Sequence, residues 1–217
     1  MPEKNLKNNC RFELLNMAPE FTNSVLVSCG RDCVIFDAWG RATDWVNLLR
    51  QRNLTLRAIY STHGHPDHIS AAPDLVLATG CKWFLSADDF NLIGWGDELL
   101  CGFGLPPITR GVLPEKLPTN SVQIFPNLVM DIIKCPGHTA GGVSFYFASE
   151  KILLVGDTLF ADSVGRCDLP GGDEVKLMQS VRALHDMNLP DDTTVISGHN
   201  DITTIARLRV ENPYFRG

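Results

Sequence analysis

The residues with the clearest chemical potential lie in one short run, Thr62-His63-Gly64-His65-Pro66-Asp67-His68. His63 and His65 are two positions apart in extended backbone, so their side chains project to the same side and can bind one metal ion. Asp67 and His68 lie beyond the turn and can reach a second ion. The glycine and proline between them predict a tight, stiff loop that prearranges the ligands. The run therefore predicts a metal site.

Three further candidate ligands stand directly after predicted strands. They are His138 in Pro136-Gly137-His138-Thr139, Asp157 in Gly156-Asp157-Thr158 and His199 in Ser197-Gly198-His199. Each follows a glycine, which lets the backbone approach closely. Asp157 is expected to bridge two ions, and the nitrogen and oxygen donors suit Zn²⁺, with Fe and Mn as alternatives. The remaining histidine, His185, falls inside a predicted helix and is expected to be structural or at the surface.

The elements that must position these ligands are short strands interleaved with a few helices. Strands are predicted at Phe12–Leu15, Ser24–Ser28, Cys33–Asp37, Leu56–Tyr60, Trp83–Leu85, Val122–Phe125, Leu128–Lys134, Val143–Phe147, Ile152–Val155 and Thr194–Ile196. Helices are predicted at Ala42–Arg52, after the Gly64–Asp67 loop, at Glu174–Met187 and at Ile202–Val210. This order predicts two mainly antiparallel sheets packed together, with helices covering the outside. A doubly wound parallel fold is disfavoured because no GxGxxG follows the first strand.

Length and composition indicate a single globular domain spanning residues 1–217, with 44% apolar residues and a net charge of −6. The acidic balance, without a run of Lys and Arg, argues against a nucleic-acid partner. The polar segment Met1–Asn9 lacks the apolar stretch of a signal peptide, and no apolar run is long enough to span a membrane. The seven cysteines include no CxxC pair and are expected to be reduced, mostly buried thiols. These features predict a cytoplasmic protein.

Three features near the predicted site allow two interpretations each. Residues 89–119 combine five glycines and four prolines with large apolar side chains, so they predict either a surface connection or a wall of the substrate groove. Asp37 ends a predicted strand and could orient a metal ligand or only shape a turn. Cys135 and Cys167 neighbour site residues, but a nucleophilic role is not expected because the metal site supplies the nucleophile.

The motifs HGHPDH, PGHT, GDTLF and SGH, in this order and spacing, resemble the metallo-β-lactamase fold superfamily. The run from Gly156 through Gly172-Asp173 is similar to the glyoxalase II branch. The resemblance covers nearly the whole chain and implies an α+β fold, the four-layer αββα sandwich. It also implies a ligand assignment: His63, His65 and His138 for the first ion, Asp67, His68 and His199 for the second, and Asp157 as the bridge.

The sequence departs from the longer glyoxalase II enzymes, which continue beyond the match to Gly198-His199 into a helical domain that binds glutathione. It resembles the compact members of the branch. Arg166 falls where the longer enzymes place a glutathione-binding lysine. A guanidinium can hold a carboxylate bidentately, so Arg166 is a candidate substrate-binding residue. The alternative is a structural ion pair with Asp168 or Asp173.

The resemblance implies a hydrolase of small-molecule thioesters, S-lactoylglutathione or a related S-acyl thiol, acting through a metal-bound hydroxide. Asp67 is also a catalytic candidate, since it can accept the proton of the attacking water. One alternative is a persulfide dioxygenase with a single iron bound by His63, His138 and Asp157. The other is hydrolysis of lactones or β-lactams. Cleavage of nucleic acid is disfavoured because it would need an inserted domain and a basic surface.

Overall fold

Each half of the chain forms one β-sheet. The computed structural model describes residues 4–5, 10–19, 22–108, 111–200 and 202–216. Apart from the backbone of residues 4–5, the polar Met1–Asn9 segment lies outside the described residues. The chain divides into two compact units, Met1–Leu117 and Pro118–Gly217. Within the described residues, no helix has both the length and the apolar character needed to cross a membrane.

The first unit contains a seven-stranded mixed sheet, ordered β1-β2-β3-β4-β5-β6-β7. Its strands are β1 (Lys4–Asn5), β2 (Cys10–Leu15), β3 (Ser24–Cys29), β4 (Asp32–Phe36), β5 (Thr55–Tyr60), β6 (Lys82–Leu85) and β7 (Glu115–Lys116). Its helices are α1 (Ala42–Gln51), α2 (Pro66–Ile69), α3 (Ala72–Thr79), a 3₁₀ helix (Ala87–Leu92) and α4 (Asp97–Gly102). Strands β1 to β4 pair antiparallel and β4 to β7 pair parallel. The expectation of mainly antiparallel pairing is therefore wrong for this sheet, because long connections containing helices return the chain in the same direction.

Packing of helices on this sheet follows from the spacing of apolar side chains. Trp45 and Leu49 lie four residues apart on one face of α1 and are both buried. They join Leu26 and Ile35 of the sheet and Leu75 of α3 in one hydrophobic cluster. Burial of this face holds α1 and α3 against the sheet and fixes the strand ends from which the ligand loop emerges.

The second unit contains a six-stranded sheet, ordered β13-β12-β11-β10-β9-β8. Its strands are β8 (Val122–Phe125), β9 (Leu128–Lys134), β10 (Val143–Phe147), β11 (Ile152–Gly156), β12 (Thr194–Ser197) and β13 (Thr203–Thr204), and its helices are α5 (Glu174–Asp186) and α6 (Ile205–Glu211). Only β11 and β12 pair parallel in the described part of this sheet. Both β10 and β11 are buried along their whole length, as expected for central strands.

The predicted elements agree with the structure except at a few boundaries. The helix expected after the ligand loop is two helices, α2 and α3. The predicted helix Ile202–Val210 starts later, because residues 203–204 pair with β12 before α6 begins. The described part of residues 89–119 holds more regular structure than its glycine and proline content suggests, since it contains α4, β7 and the end of the 3₁₀ helix.

Candidate metal centre

The first ligand cluster, His63, His65, Asp67 and His68, sits where the chain passes from β5 into α2. All four residues are buried, with at most 8% of their surface exposed. His65 is the N-cap residue of α2 and has extended backbone (φ −69°, ψ 147°), while proline follows at the first helical position. His65 therefore comes from extended backbone just before the helix, whereas Asp67 and His68 come from its first turn.

The side chains of the first cluster point toward one another. The ring centroids of His63 and His65 are 4.8 Å apart, and those of His63 and His68 are 4.0 Å apart. His68 Nε2 lies 3.5 Å from Asp67 Oδ2. Thr22 Oγ1 donates to the same Asp67 oxygen at 3.4 Å. The sequence motif thus produces a buried group of convergent nitrogen and oxygen donors within the first unit.

Asp37 orients two of these histidines through their Nδ1 atoms, directly for His68 and through Thr62 for His63. Its carboxylate accepts a hydrogen bond from the Thr62 backbone N–H (2.7 Å) and another from Thr62 Oγ1 (2.9 Å). The same carboxylate lies 3.0 Å from His68 Nδ1. Thr62 Oγ1 is in turn 3.0 Å from His63 Nδ1. The interpretation of Asp37 as a residue that supports the ligands is therefore favoured over a simple turn residue, since a carboxylate on Nδ1 leaves Nε2 available to a metal.

Asp89 is a supporting residue that the sequence analysis missed. It lies in the 3₁₀ helix, is fully buried, and its Oδ2 accepts a hydrogen bond from the Gly64 backbone N–H at 2.9 Å. A β-carbon on Gly64 would lie only 2.9 Å from the β-carbon of Asp89, so the close approach requires glycine. No signal could have revealed this contact, because Asp89 is 25 positions away and its partner is a backbone group.

The second ligand cluster, His138, Asp157 and His199, belongs to the second unit. The three residues follow β9, β11 and β12, as predicted. Asp157 Oδ2 lies 3.6 Å from His138 Nε2 and 3.3 Å from His199 Nε2. A single carboxylate oxygen thus faces the Nε2 atoms of two imidazoles. Both His138 and Asp157 are buried, whereas the His199 side chain is 18% exposed.

Backbone contacts hold the second cluster in place. His138 Nδ1 is 2.7 Å from the carbonyl oxygen of Arg166, which directs the opposite ring nitrogen toward Asp157. Gly165 packs against both ligands, because a β-carbon there would lie 1.9 Å from the Asp157 carbonyl oxygen and 3.0 Å from His138 Nδ1. The Gly198 N–H donates to the Gly156 carbonyl at 2.9 Å, which links the two strand ends that carry the other ligands.

Arg166 contributes to the site through its backbone, and its side chain points into solvent. The guanidinium makes a bidentate ion pair with Asp168, with Nε–Oδ1 and Nη2–Oδ2 distances of 2.6 and 2.7 Å. These hydrogen bonds lower the pKa of Asp168 to about 2. The ion pair anticipated as the alternative to substrate binding is therefore present. A substrate carboxylate would have to compete with Asp168 for the guanidinium.

The cysteines beside the second cluster have the properties of inert thiols. Cys135 is buried next to Ser144 Oγ (3.2 Å), and burial raises its pKa to about 11. Burial also raises the pKa of Cys167. Raised values keep both thiols protonated at neutral pH, which supports the expectation that neither is a nucleophile. None of the seven cysteines, all within the described residues, is in a disulfide.

His185 has the structural surroundings expected of it. It lies on α5, where Nδ1 contacts Asp186 Oδ1 at 3.1 Å and the ring packs edge-on against Phe215.

The 89–119 segment packs directly against the first cluster. The Trp95 ring lies 5.5 Å from the His65 ring, tilted by 39°. Gly96 is pressed against Pro66, since a β-carbon on Gly96 would lie 2.9 Å from Pro66 Cγ. Trp95 itself is partly exposed. The segment therefore supports the ligand loop and also presents an aromatic surface beside a ligand.

The chemistry of both clusters fits divalent metal ions. Their donors are imidazole nitrogens and carboxylate oxygens, a combination suited to zinc, iron and manganese. Crowding of several buried imidazoles and carboxylates without a cation would carry a high desolvation cost. Within each cluster the donor atoms lie close enough to share an ion, with 3.3 to 3.6 Å between the paired carboxylate and imidazole atoms. Such a set can hold metal and activate water.

Comparison with known proteins supports the same conclusion. A family model described as the metallo-beta-lactamase superfamily matches residues 17–199. The hydroxyacylglutathione hydrolase GloC of Haemophilus influenzae is 32% identical over 187 residues, covering 85% of this chain and 87% of the relative. The crystal structure of the B3 metallo-beta-lactamase BLEG-1 has 32% identity and a TM-score of 0.83, covering 95% of this chain and 100% of that one. TTHA1623, solved in a di-iron-bound form, has 30% identity and a TM-score of 0.81, covering 93% and 99%.

These matches confirm the α+β fold class predicted from the motifs and a general role as a metal-dependent hydrolase. The family match extends from before Asp37 to His199 and so includes both ligand clusters. The chain therefore belongs to the metallo-β-lactamase superfamily.

Proposed function

We propose that the protein is a binuclear metal-dependent hydrolase of small-molecule thioesters, such as S-lactoylglutathione or a related S-acyl thiol. The observation that carries the proposal is the position of Asp157, whose Oδ2 lies between the Nε2 atoms of His138 and His199. A carboxylate that faces two histidines in this way can bridge two ions. Membership of the superfamily supports the remainder of the ligand set.

The proposed ligand assignment follows the family pattern. In that pattern one ion would be held by three histidines and the other by two histidines and an aspartate, and one further carboxylate would serve both. The ligands are His63, His65 and His138 for the first ion, Asp67, His68 and His199 for the second, and Asp157 for both. Zinc is the expected metal, with iron or manganese as alternatives.

When bound, two divalent ions supply hydroxide from water near neutral pH and polarise the substrate carbonyl. The side chains are proposed to transfer the proton, position the carboxylate and contact the substrate. Asp67 accepts the proton of the attacking water, and the hydrogen bond from Thr22 Oγ1 holds its carboxylate in position. The bond to sulfur breaks without a strong acid, because a thiolate is a stable leaving group. The partly exposed ring of Trp95 offers an apolar surface beside His65 for the acyl or carrier portion.

Two observations support a thioester rather than another ester. The relative GloC is a hydroxyacylglutathione hydrolase, and the identity to it extends over most of both chains. Arg166 provides a solvent-exposed guanidinium that could exchange Asp168 for a carboxylate of the thiol carrier.

The test combines metal analysis with thioester hydrolysis. Protein purified without added metal is analysed for zinc, iron and manganese, and release of thiol from S-lactoylglutathione is followed with a thiol reagent. About two ions per chain and rapid release are expected. Asp157→Asn should lose metal and activity together. The matched control Asp162→Asn removes an exposed carboxylate nearby whose Oδ1 contacts Ser163 Oγ, and should change neither.

Two results would overturn the proposal. Full metal content and activity in Asp157→Asn would remove the bridging assignment. About one iron per chain, with no thioester hydrolysis, would favour the persulfide dioxygenase alternative.

Hydrolysis of β-lactams is a second candidate, favoured by the likeness to BLEG-1. The two reactions differ in the leaving group: an amide nitrogen must be protonated as it leaves, whereas a thiolate need not be. A chromogenic cephalosporin measured beside the thioester distinguishes them. A kcat/KM for the cephalosporin above that for any thioester would reverse the order of the two candidates.

A further inference from the structure

A pair of cysteines faces each other across two neighbouring strands of the first unit. Cys10 on β2 lies directly opposite Cys29 on β3 in the antiparallel register. Directly opposed residues place their side chains on the same face of a sheet, with β-carbons about 4.5–5.5 Å apart. Neither residue belongs to a ligand cluster, and the proposed hydrolysis does not use them.

The hairpin geometry identifies which kind of cross-strand pair this is. Cys29 and Asp32 flank the two-residue turn Gly30–Arg31 and oppose each other, and Gly30 has a φ of +62°. A hairpin with a two-residue loop closes on a hydrogen-bonded pair. A residue in an antiparallel strand directs both its N–H and its C=O to the same neighbouring strand, and those of Cys29 point to Asp32 on β4. Cys29 and Cys10 therefore form a non-hydrogen-bonded pair, in which the α-carbons are about 4.5 Å apart. That separation is within the roughly 4.4–6.8 Å that a disulfide bridges.

We propose that Cys10 and Cys29 form an oxidisable dithiol site whose co-reactant is a low-molecular-weight disulfide such as oxidised glutathione. Their exposure assigns the two roles. Cys29 is partly exposed and can be reached by the reagent, whereas Cys10 is 1% exposed and is reached only through Cys29. Cys29 is the attacking thiol and Cys10 is the resolving thiol.

The reaction is an exchange in two steps. The Cys29 thiolate attacks one sulfur of the reagent, so that its S–S bond breaks, a mixed disulfide forms and one thiolate leaves. The Cys10 thiolate then attacks the Cys29 sulfur and releases the second reagent thiolate. The two protein thiols lose two electrons and two protons, and the reagent disulfide becomes two thiols.

The other cysteines of the first unit do not compete for this partner. Cys33 opposes Ser28, one register position away, and so points to the other face of the sheet. Burial raises the pKa of Cys33 to about 12 and also raises that of Cys81, so both stay protonated. Cys101 is exposed on α4 and serves as an internal control for simple reagent access.

Peptide mapping of the native protein tests the proposal. The protein is incubated with oxidised glutathione, its remaining thiols are alkylated, and it is digested with trypsin without reduction. Cleavage after Lys7, Arg11 and Arg31 leaves Cys10 in peptide 8–11, Cys29 in peptide 12–31 and Cys33 in the following peptide. The expected product is a disulfide linking peptide 8–11 to peptide 12–31, formed in most of the chains.

Two variants separate the steps. Cys10→Ser should stop at a glutathione adduct on Cys29, and Cys29→Ser should leave Cys10 unmodified. Cys101→Ser should form the linked peptides as readily as the parent protein. The proposal is overturned if Cys101 acquires glutathione while peptides 8–11 and 12–31 remain unlinked. It is also overturned if the rate of Cys10 modification in the Cys29→Ser variant equals the rate of Cys29 modification in the Cys10→Ser variant.

Discussion

Replacing Asp37 with asparagine should weaken metal binding while leaving the fold intact. The carboxylate is buried and faces three polar atoms, the Thr62 backbone nitrogen, Thr62 Oγ1 and His68 Nδ1. Asparagine has nearly the same shape, but one of its two terminal atoms is a donor. If the amide oxygen keeps the hydrogen bond from the Thr62 backbone, the amide nitrogen faces His68 Nδ1.

The size of the effect follows from the tautomer of His68. A donor at Nδ1 favours the imidazole with its proton on Nε2, the nitrogen that lies 3.5 Å from Asp67 and is proposed to bind metal. A protonated Nε2 has no lone pair for a cation. Loss of a partner that orients a ligand lowers metal affinity by about 10- to 100-fold. That change corresponds to roughly 1.4–2.7 kcal/mol of binding free energy.

The measurement is competition with a chromophoric chelator, with circular dichroism to confirm that the variant is folded. Asp32→Asn is the matched control, because Asp32 begins the strand that Asp37 directly follows and its partly exposed carboxylate pairs with Arg57. The control should bind metal as the parent protein does. Equal affinity in Asp37→Asn and Asp32→Asn, with both proteins folded, would refute the argument that Asp37 sets the tautomer.

Two further predictions concern stability and titration. Gly165→Ala should lower the free energy of unfolding by about 3 kcal/mol or more in denaturant titrations, because the new β-carbon would lie 1.9 Å from the Asp157 carbonyl oxygen. In the control Gly102→Ala the new β-carbon meets nothing within 4 Å, so the free energy of unfolding should not change. NMR titration should give Asp168 a pKa of about 2, raised toward its usual value of about 3.9 in Arg166→Ala. Since the folded-state pKa is lowered, the ion pair is complete above about pH 4 and is lost as the pH falls through about 2. A pKa unchanged by Arg166→Ala, or a Gly165→Ala protein as stable as Gly102→Ala, would contradict these assignments.

The ligand positions could be predicted because their signal is local in the sequence. Most candidate ligands follow a strand-like run, so their place near a strand end is set by the strand itself; the clearest case is Asp157, which follows the fully buried β11. Glycines that precede the ligands predicted close backbone approaches, which the structure shows at Gly137, where a β-carbon would lie 2.1 Å from the Leu177 backbone nitrogen. Residue type and spacing were therefore sufficient to single out the side chains that the structure brings together within each cluster.

The parallel pairing in the first sheet could not be predicted in the same way. β3 pairs antiparallel on both sides and β4 pairs parallel with β5, yet each is buried over four consecutive residues. Their apolar patterns therefore do not reveal the strand direction, which depends on the connections. The short 3₁₀ helix and α4 were also hidden, because glycine and proline around them are typical of loops. At the C-terminal end of α4, a tertiary contact that local composition does not specify supports the structure, since the ring of the C-cap residue Phe103 packs edge-on against Trp39.

The contribution of Asp37 and Asp89 shows what a ligand motif omits. Asp37 accepts the backbone N–H of Thr62 and Asp89 accepts that of Gly64, so two buried carboxylates hold alternate residues of one loop, with His63 between them. Side chains from two distant segments thus accept the hydrogen bonds of the loop's backbone N–H groups, whereas in a strand the neighbouring strand would accept them. Such anchoring fixes the ligand loop before metal binds, because the hydrogen bonds do not require a cation. Metal binding then has less loop ordering to drive, and the affinity of the first cluster depends on residues that the motif does not contain.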